Sequence, residues 1–311
     1  MNQPVSNAHV SVGLASAPRP GSLRAWLLAT RPATLTAAIA PVLVGSAVAS
    51  QFGKVQFAPL LATLLGASLL QIASNFANDV FDFEKGADTE ERLGPTRAVQ
   101  AGLLTAQQMK IGLAVVIALS LLVGVYITAH AGWPIVAIGL ASIAAAICYT
   151  GGPYPLGYHG WGDVFVFVFF GLVAVVGTTY VHLGATPLMS YLCAIPVGAL
   201  ATNILVVNNL RDRFTDQLAQ KRTLAVRWGR EGALAQYATL LALSYLLPLC
   251  LFLLNHASAW VFLPWLSLPL ALKLWRGVRT LEGRSLNAVL KATAGLVFVF
   301  SVLLSVGIHF G

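Results

Sequence analysis

The sequence is poor in charged residues and in cysteine. Asp, Glu, Lys and Arg make up 10% of its 311 residues, whereas an ordinary soluble domain has about 25%. So few charged side chains cannot cover the surface of a soluble globular enzyme. The three cysteines all lie in apolar stretches without CxxC spacing, so neither a disulfide scaffold nor a cysteine metal site is expected. The composition also excludes a disordered chain.

Long apolar stretches take the place of charge. Apolar residues make up 57% of the chain, the mean hydropathy is +0.77, and a membrane helix needs about 20 such residues. Uncharged stretches predict single spans at 32–53, 55–78 and 292–311, and paired spans at 111–162, 164–210 and 232–272. We therefore predict an all-α, multi-pass membrane protein with about nine transmembrane helices.

Two regions are expected along the chain. Residues 1–23 contain three prolines and lack the apolar core of a signal peptide, which predicts a flexible cytoplasmic tail. Residues 24–311 are predicted to form a single transmembrane domain. Turns are expected at 130–134, 184–187 and 255–258, where glycine, proline or small polar residues interrupt the apolar pairs.

The charges are expected on one side of the membrane. With nine spans, 18 of the 19 Lys and Arg residues fall on the side of the N-terminal tail, and Lys54 falls on the other. The positive-inside rule makes the crowded side cytoplasmic, so the net charge of +8 indicates topology and no nucleic-acid partner. All 11 acidic residues share this side. Membrane insertion does not require acidic residues on this side. Their concentration there therefore predicts that the cytoplasmic face of the protein carries its function.

Two acidic clusters end the second and sixth predicted spans. Each places two carboxylates about one helical turn apart on one face, with amide groups one turn deeper. The residues are Asn75, Asn78, Asp79 and Asp82 in the first cluster, and Asn209, Asp212 and Asp216 in the second. Two matching clusters argue against merely solvated helix ends, because amides within lipid are costly and tend to be functional.

The ligand chemistry of the clusters favours magnesium. Mg²⁺ prefers oxygen ligands and is typically held by one or two carboxylates together with substrate phosphates. Two clusters would hold two ions around one diphosphate. Arg97 follows the first cluster, and Lys221 and Arg222 follow the second, where they would neutralise phosphate oxygens. The residues predict a membrane enzyme that acts on a lipid diphosphate, with the apolar tail among the helices.

The clusters resemble the two aspartate-rich motifs of the UbiA superfamily of intramembrane aromatic prenyltransferases. Other strings resemble its branch that prenylates 1,4-dihydroxy-2-naphthoate in menaquinone synthesis: RPATL at 31–35, KGAD at 85–88, GPTR at 94–97, YTGGP at 149–153, GWGD at 160–163, VNNLRD at 207–212, KRTL at 221–224 and LNAVLK at 286–291. Hydroxybenzoate-type members usually have a third aspartate where this chain has Gly86, which argues against a ubiquinone role.

The resemblance implies a fold and a reaction. The fold would be a UbiA-type helical bundle in the inner membrane of a bacterium, with cytoplasmic active-site loops. A polyprenyl group would pass from polyprenyl diphosphate to 1,4-dihydroxy-2-naphthoate, with loss of CO₂ and diphosphate, to give demethylmenaquinone. The partners would be the two substrates and the lipid bilayer, and no protein partner is indicated. The alternatives are another acceptor, of the homogentisate or phytyl type, and, from another class, a membrane transporter.

The resemblance also assigns roles to residues. Asp79 and Asp82 would bind one Mg²⁺, and Asp212 and Asp216 the other. Glu84 and Asp88 are further candidate metal ligands. The residues assigned to diphosphate are Asn75, Asn78, Asn209, Arg97, Lys221 and Arg222.

Three residues are candidates for the acceptor pocket. Tyr149 would line the reacting centre, where an aromatic face steadies a cation, although an interfacial tyrosine is an equal interpretation. His159 lies in the loop on the same side of the membrane. Asp163 precedes a predicted span, where it would serve as an N-cap or line the site.

Overall fold

The computed structural model describes residues 18–88, 92–254 and 257–311, and its regular structure in these ranges is helical without strands. The expected all-α class is confirmed. The helices are α1 (Leu23–Thr30), α2 (Pro32–Phe52), α3 (Phe57–Glu84), α4 (Ala106–Ala131), α5 (Pro134–Cys148), α6 (Gly162–Val166), α7 (Gly177–Leu183), α8 (Leu188–Leu218), α9 (Leu224–Leu253), α10 (Leu268–Thr280) and α11 (Leu286–His309). A π-helical segment, Phe167–Val176, joins α6 to α7, and short 3₁₀ helices span Leu156–His159, Ala259–Ser267 and Gly283–Ser285.

Seven of the described helical segments are long and apolar enough to cross a membrane. They are Pro32–Phe52, Phe57–Glu84, Ala106–Ala131, Gly162–Leu183, Leu188–Leu218, Leu224–Leu253 and Gly283–His309. The expected count of nine is not confirmed by length and composition. The apolar helix Pro134–Cys148 has only 15 residues, and the segment before α10 is a 3₁₀ helix.

The sequence gives clear reasons for several helix boundaries. The Thr105 side chain and Gln108 form a capping box that starts α4, and this motif satisfies two backbone N–H groups. Pro32 and Pro134 occupy the first turns of α2 and α5, where a missing N–H costs nothing. Of the expected turns, residues 255 and 256 lie outside the described ranges, as do residues 1–17 of the expected tail.

The largest buried cluster joins α2, α8, α9 and α11. Val44, Val197, Tyr237 and Phe300 are among its fully buried members. The π-helical segment crosses α8 where two glycines meet. A Cβ atom on Gly171 would lie 2.9 Å from the Cα of Gly198, so the two backbones approach as closely as only small residues permit.

Both acid-bearing helices end at the same end of the bundle. The α3 helix continues to Glu84 and α8 to Leu218, beyond the expected spans, so both acidic clusters remain helical. The loop 85–105, the loop 149–161 and the start of α11 meet these helix ends. This convergence of distant segments forms the candidate site.

Candidate active site

Both acidic clusters contribute to one cavity of about 1370 Å³. It extends between the helices as far as Ile135 and Val181, and it is lined by Phe165, Phe169 and Phe170. The volume exceeds the range of about 300–1,000 Å³ that is usual for small-molecule sites. A polar end that continues into a long apolar space suits a ligand with an anionic head and an extended hydrocarbon tail.

Asp82 is the most heavily contacted carboxylate at the polar end among the described residues. Its Oδ1 accepts hydrogen bonds from the Tyr158 hydroxyl at 2.7 Å and from Lys221 Nζ at 3.2 Å. Its Oδ2 accepts from Arg97 Nη2 at 2.7 Å. Only 2% of the residue is exposed, so these partners offset the cost of burying its charge. Asp82 is thereby fixed at the cavity wall.

Lys221 connects the two acidic clusters. Its Nζ lies 3.2 Å from Asp82 Oδ1 and 4.0 Å from Asp216 Oδ1. Asp82 is at the end of α3 and Asp216 at the end of α8, more than 130 residues later in the chain. The structure therefore brings a carboxylate from each cluster to one ammonium group, and all three residues line the cavity.

The second cluster is held by Arg211, which sequence reasoning counted only as a topology charge. The guanidinium is fully buried and contacts Asp212 through Nε at 2.8 Å and Nη2 at 2.5 Å. It also donates to Asn208 Oδ1 and Asn287 Oδ1, each at 2.8 Å. In the sequence, the adjacent Asp212 was the feature that could have indicated this role of Arg211. Nothing local indicated the contact with Asn287, which is on α11.

Asp79, which the sequence predicts as a metal ligand, contacts the backbone of the loop after α3. Its Oδ2 accepts from the backbone N–H of Ala98 at 2.9 Å and its Oδ1 from that of Val99 at 3.1 Å. It is not among the described residues that line the cavity. A rotation of about 100° per residue turns Asp79 away from Asn78. Asp79 anchors the loop that carries Arg97.

The amide residues divide between lining and support. Asn78, Asn209 and Asn75, the amides that the sequence predicts to bind diphosphate, all line the cavity. The Oδ1 of Asn78 accepts from Thr150 Oγ1 at 3.0 Å. The Nδ2 of Asn75 donates to the Thr30 carbonyl at 2.9 Å and to Thr34 Oγ1 at 3.0 Å, so it ties α3 to the junction of α1 and α2.

Charge neighbours set the electrostatics of the loop after α3. Burial alone would lower the pKa of Arg97, but the carboxylates of Asp82, Asp88 and Asp79 raise it above its usual value. The pKa of Asp88 is raised by burial, although Arg97 and Arg92 act against the rise. Asp88 pairs with both arginines. These ion pairs hold Asp88 within the loop, and Asp88 is not among the described residues that line the cavity.

Several further candidates lie away from the cavity. Glu84 is exposed and pairs with Lys110 at 2.6 Å. Arg222 is exposed, and its backbone N–H donates to the Tyr158 carbonyl at 2.7 Å. Neither is among the described residues lining the cavity. The geometry thus separates Arg222 from Lys221, its neighbour in sequence.

The three acceptor-pocket candidates also separate. Tyr149 lines the cavity. His159 stacks on Tyr154 with ring centroids 3.8 Å apart, and it lines a second, smaller surface pocket. Asp163 is buried and accepts from Gln236 Nε2 at 2.8 Å. Within the part of the chain that the structure describes, neither His159 nor Asp163 lines the main cavity.

Several further polar residues of the cavity were not assigned to the site from the sequence. Arg31, Arg92, Tyr158 and Asn208 line the polar end. The sequence shows Asn208 beside Asn209, but it does not indicate that Asn208 lines the cavity. Tyr158 is in a loop whose sequence gives no periodicity, and its hydroxyl reaches Asp82 only because that loop folds over the end of α3. Burial followed by the charge of Asp82 raises the pKa of Tyr158, so the hydroxyl remains a donor.

The oxygen groups at the polar end fit magnesium bound together with a diphosphate. Asp82, Asp212 and Asp216 supply carboxylates, and Asn78, Asn208 and Asn209 supply amide groups at the same end. In the described ranges no group of three or more His, Cys, Asp or Glu residues forms a ready metal cage. Mg²⁺ characteristically uses few protein carboxylates and relies on substrate phosphates and water for the rest.

Comparison with known proteins is consistent with this arrangement. The chain is 39% identical over 299 residues to the 1,4-dihydroxy-2-naphthoate octaprenyltransferase of Escherichia coli, and the match covers 91% of this chain and 96% of that protein. Its fold is similar to an apo UbiA homolog from Aeropyrum pernix, with a TM-score of 0.68, 14% identity and coverage of 86% and 96%. It is also similar to a UbiA homolog from Archaeoglobus fulgidus bound to DMAPP and Mg²⁺, with a TM-score of 0.59, 19% identity and coverage of 90% and 99%.

The family assignment rests on most of the chain. The sequence profile described as the UbiA prenyltransferase family matches residues 38–303. That range contains α3 and α8, with both acidic clusters, and the loops 85–105 and 149–161. The apolar helices, the paired acidic helix ends and the profile match together establish that this chain belongs to the UbiA prenyltransferase family.

Proposed function

We propose that the chain transfers a polyprenyl group from polyprenyl diphosphate to 1,4-dihydroxy-2-naphthoate, releasing CO₂ and diphosphate and forming demethylmenaquinol, the reduced form of demethylmenaquinone. The main support for the proposal is the position of Lys221 between Asp82 and Asp216, at the polar end of a long apolar cavity. The name of the E. coli relative supports the naphthoate acceptor.

In this proposal each part of the donor occupies a different part of the cavity. Its polar end, with Lys221, Asn78 and Asn209, receives the diphosphate. The apolar part takes the prenyl chain and excludes water from the reacting carbon. When the bond between C1 and oxygen breaks, the electron pair leaves with the diphosphate. The faces of Tyr149 and Phe165 line the space available to the allylic cation, and aromatic faces attract cations.

Magnesium is the proposed cofactor. Asp82, Asp212 and Asp216, with the Asn78 and Asn208 amide oxygens, are the residues that would hold it. The support is the set of carboxylate and amide oxygens at this end of the cavity and the Mg²⁺ bound by the Archaeoglobus fulgidus homolog. Bound Mg²⁺ supplies positive charge that stabilises the departing diphosphate. Two ions are proposed, because the carboxylates come from two separate clusters.

The membrane arrangement is part of the proposal. The polar end faces the cytoplasm of a bacterium, because 18 of 19 Lys and Arg residues are assigned to that side. Two further crossings bring the proposed count from seven to nine. They are Pro134–Cys148 and the continuous segment Ala259–Thr280, each of which lies in the chain between two of the seven longer helices. Residues 24–311 form one transmembrane domain in this proposal.

Product formation by purified protein tests the function. Wild-type protein in detergent is incubated with Mg²⁺, a series of polyprenyl diphosphates and either 1,4-dihydroxy-2-naphthoate or homogentisate. We expect prenylated product and released diphosphate with the naphthoate, and loss of both with a chelator. Turnover with homogentisate alone would replace the proposed acceptor. Folded protein that gives no product with any pair of substrates would refute prenyl transfer.

A further inference from the structure

Arg31 stands at the junction between α1 and α2 and lines the cavity. Its backbone adopts φ 50° and ψ 68°, a left-handed conformation that is uncommon for a residue with a side chain. The junction is braced by Asn75, whose Nδ2 donates to Thr30 and Thr34. Asn75 is in the first acidic cluster, so Arg31 has a fixed relation to that cluster.

Arg31 differs from the other arginines at this end because it forms no ion pair among the residues described, although the charges of Asp79 and Asp88 are near enough to act on it. Arg97 pairs with Asp82 and Asp88, and Arg211 pairs with Asp212. The Nη2 of Arg31 is buried without a hydrogen-bond partner, and the guanidinium forms no ion pair within residues 18–88, 92–254 and 257–311.

The guanidinium of Arg31 is a cation at neutral pH. Burial, followed by the nearby charges of Arg97 and Arg92, lowers the pKa of Arg31 to about 9. Arg31 as a whole is half-buried, but its Nη2 is buried without a hydrogen-bond partner among the described residues, which is unfavourable for a charged group. An anion placed against this atom would relieve that cost. The planar guanidinium fork matches the two oxygens of a carboxylate or a phosphate.

We propose that Arg31 binds a substrate oxyanion inside the cavity. The inference rests on the proposed function, in which both substrates carry such a group: the aromatic acceptor has a carboxylate and the donor has a diphosphate. Arg31 is then a substrate-binding residue of the junction between α1 and α2, separate from the residues of the acidic clusters. The two sources share one ligand chemistry, and kinetic measurements separate them.

The experiment compares Arg31→Gln and Arg31→Lys with wild-type protein and with Arg24→Gln. Arg24 is an exposed arginine on α1, seven residues earlier, and supplies the matched control. The KM for the prenyl diphosphate and the KM for 1,4-dihydroxy-2-naphthoate are measured separately. Independently of turnover, the rise in Tm is measured with the naphthoate, with 1,4-dihydroxynaphthalene and with inorganic diphosphate plus Mg²⁺.

Arg31→Gln should raise one of the two KM values roughly 10- to 100-fold, as expected for loss of a charged hydrogen bond. Arg31→Lys should recover part of the loss. If the carboxylate is the ligand, the KM for the naphthoate rises and its Tm shift falls, while 1,4-dihydroxynaphthalene, which lacks the carboxylate, is unaffected. If the diphosphate is the ligand, the donor KM and the shift with inorganic diphosphate change instead.

The inference is overturned if Arg31→Gln and Arg31→Lys have the KM values and ligand-induced Tm shifts of Arg24→Gln. A lowered Tm of the ligand-free Arg31→Gln protein, with normal ligand-induced shifts, would also overturn it, because Arg31 would then be structural. Failure of the proposed function looks different: wild-type protein would make no product, yet the Tm shifts would still report whether Arg31 binds an oxyanion.

Discussion

Individual carboxylates at the end of α3 have different surroundings even though they are close in sequence. Asp79 accepts a hydrogen bond from a backbone N–H at each of its two oxygens, whereas Asp82 faces the cavity among side-chain donors. A backbone-bound carboxylate holds a loop in place. A carboxylate surrounded by movable cations can exchange them for a ligand, which makes Asp82 the better candidate for the chemistry.

Replacing Asp82 with asparagine should reduce kcat by on the order of 100-fold or more, because the variant loses a negative oxygen among the groups that position the donor. Glu84→Gln is the control, since Glu84 is exposed on the same helix end and contacts Lys110. The measurement is product formation at saturating substrate, with the Tm recorded for both variants. Equal activity of Asp82→Asn and Glu84→Gln would remove Asp82 from the site.

Replacing Arg211 with alanine should destabilise the protein by about 3–5 kcal/mol, because Asp212 would be left as a buried charge without its partner. The matched control is Arg213→Ala. Arg213 is partly exposed and lies over the Phe214 ring, so its loss should cost within about 0.5 kcal/mol. Thermal unfolding in detergent reports both changes. Similar Tm values for the two variants would contradict the structural role of Arg211.

At the scale of elements, helix length was the feature hardest to predict. The expected spans ended at 78 and 210, where charges begin, but α3 and α8 continue to Glu84 and Leu218. A transition from apolar to charged residues marks where a helix leaves lipid and does not end its hydrogen bonding. Both acidic clusters therefore stand on rigid helices, which hold catalytic groups more accurately than loops do.

The crossing of the π-helical segment with α8 supplies a test of packing. A Cβ on Gly198 would lie 2.8 Å from the Phe167 carbonyl oxygen, so Gly198→Ala should cost about 1–3 kcal/mol through overpacking. Gly124→Ala, in α4, meets nothing within 4 Å and should be neutral or slightly stabilising. The measurement that tests both expectations is the Tm of each variant in detergent. Unchanged stability of Gly198→Ala would show that the two backbones can separate without cost.

For the whole molecule, the proposed orientation can be tested by labelling. In a background in which Cys148, Cys193 and Cys250 are replaced by alanine, Lys54→Cys should react with an impermeant maleimide in intact spheroplasts. Arg284→Cys should react only after the membrane is permeabilised, because the positive-inside rule places it in the cytoplasm. The opposite pattern would invert the proposed topology. Labelling of both residues from one side would refute the crossing count between them.

The sequence by itself determined the class of the molecule and the location of its acidic groups. Scarce charge and long apolar stretches imply membrane helices, because lipid requires internally bonded backbone. The paired spacing of aspartates and asparagines located the candidate site at the ends of two helices. These are local properties of composition and periodicity, so they can be read without knowing which helices are neighbours.

The tertiary structure decided which of these groups face one another. Lys221 and Tyr158 reach Asp82 on α3, and Asn287 reaches Arg211 on α8, from segments far away in the chain. Arg31 is brought to the same cavity by the junction between α1 and α2. Helical periodicity gives each residue an angle on its own helix, but only packing gives that helix its rotation and its neighbours. For that physical reason Asp79 holds a loop while Asp82, three residues later, faces the cavity.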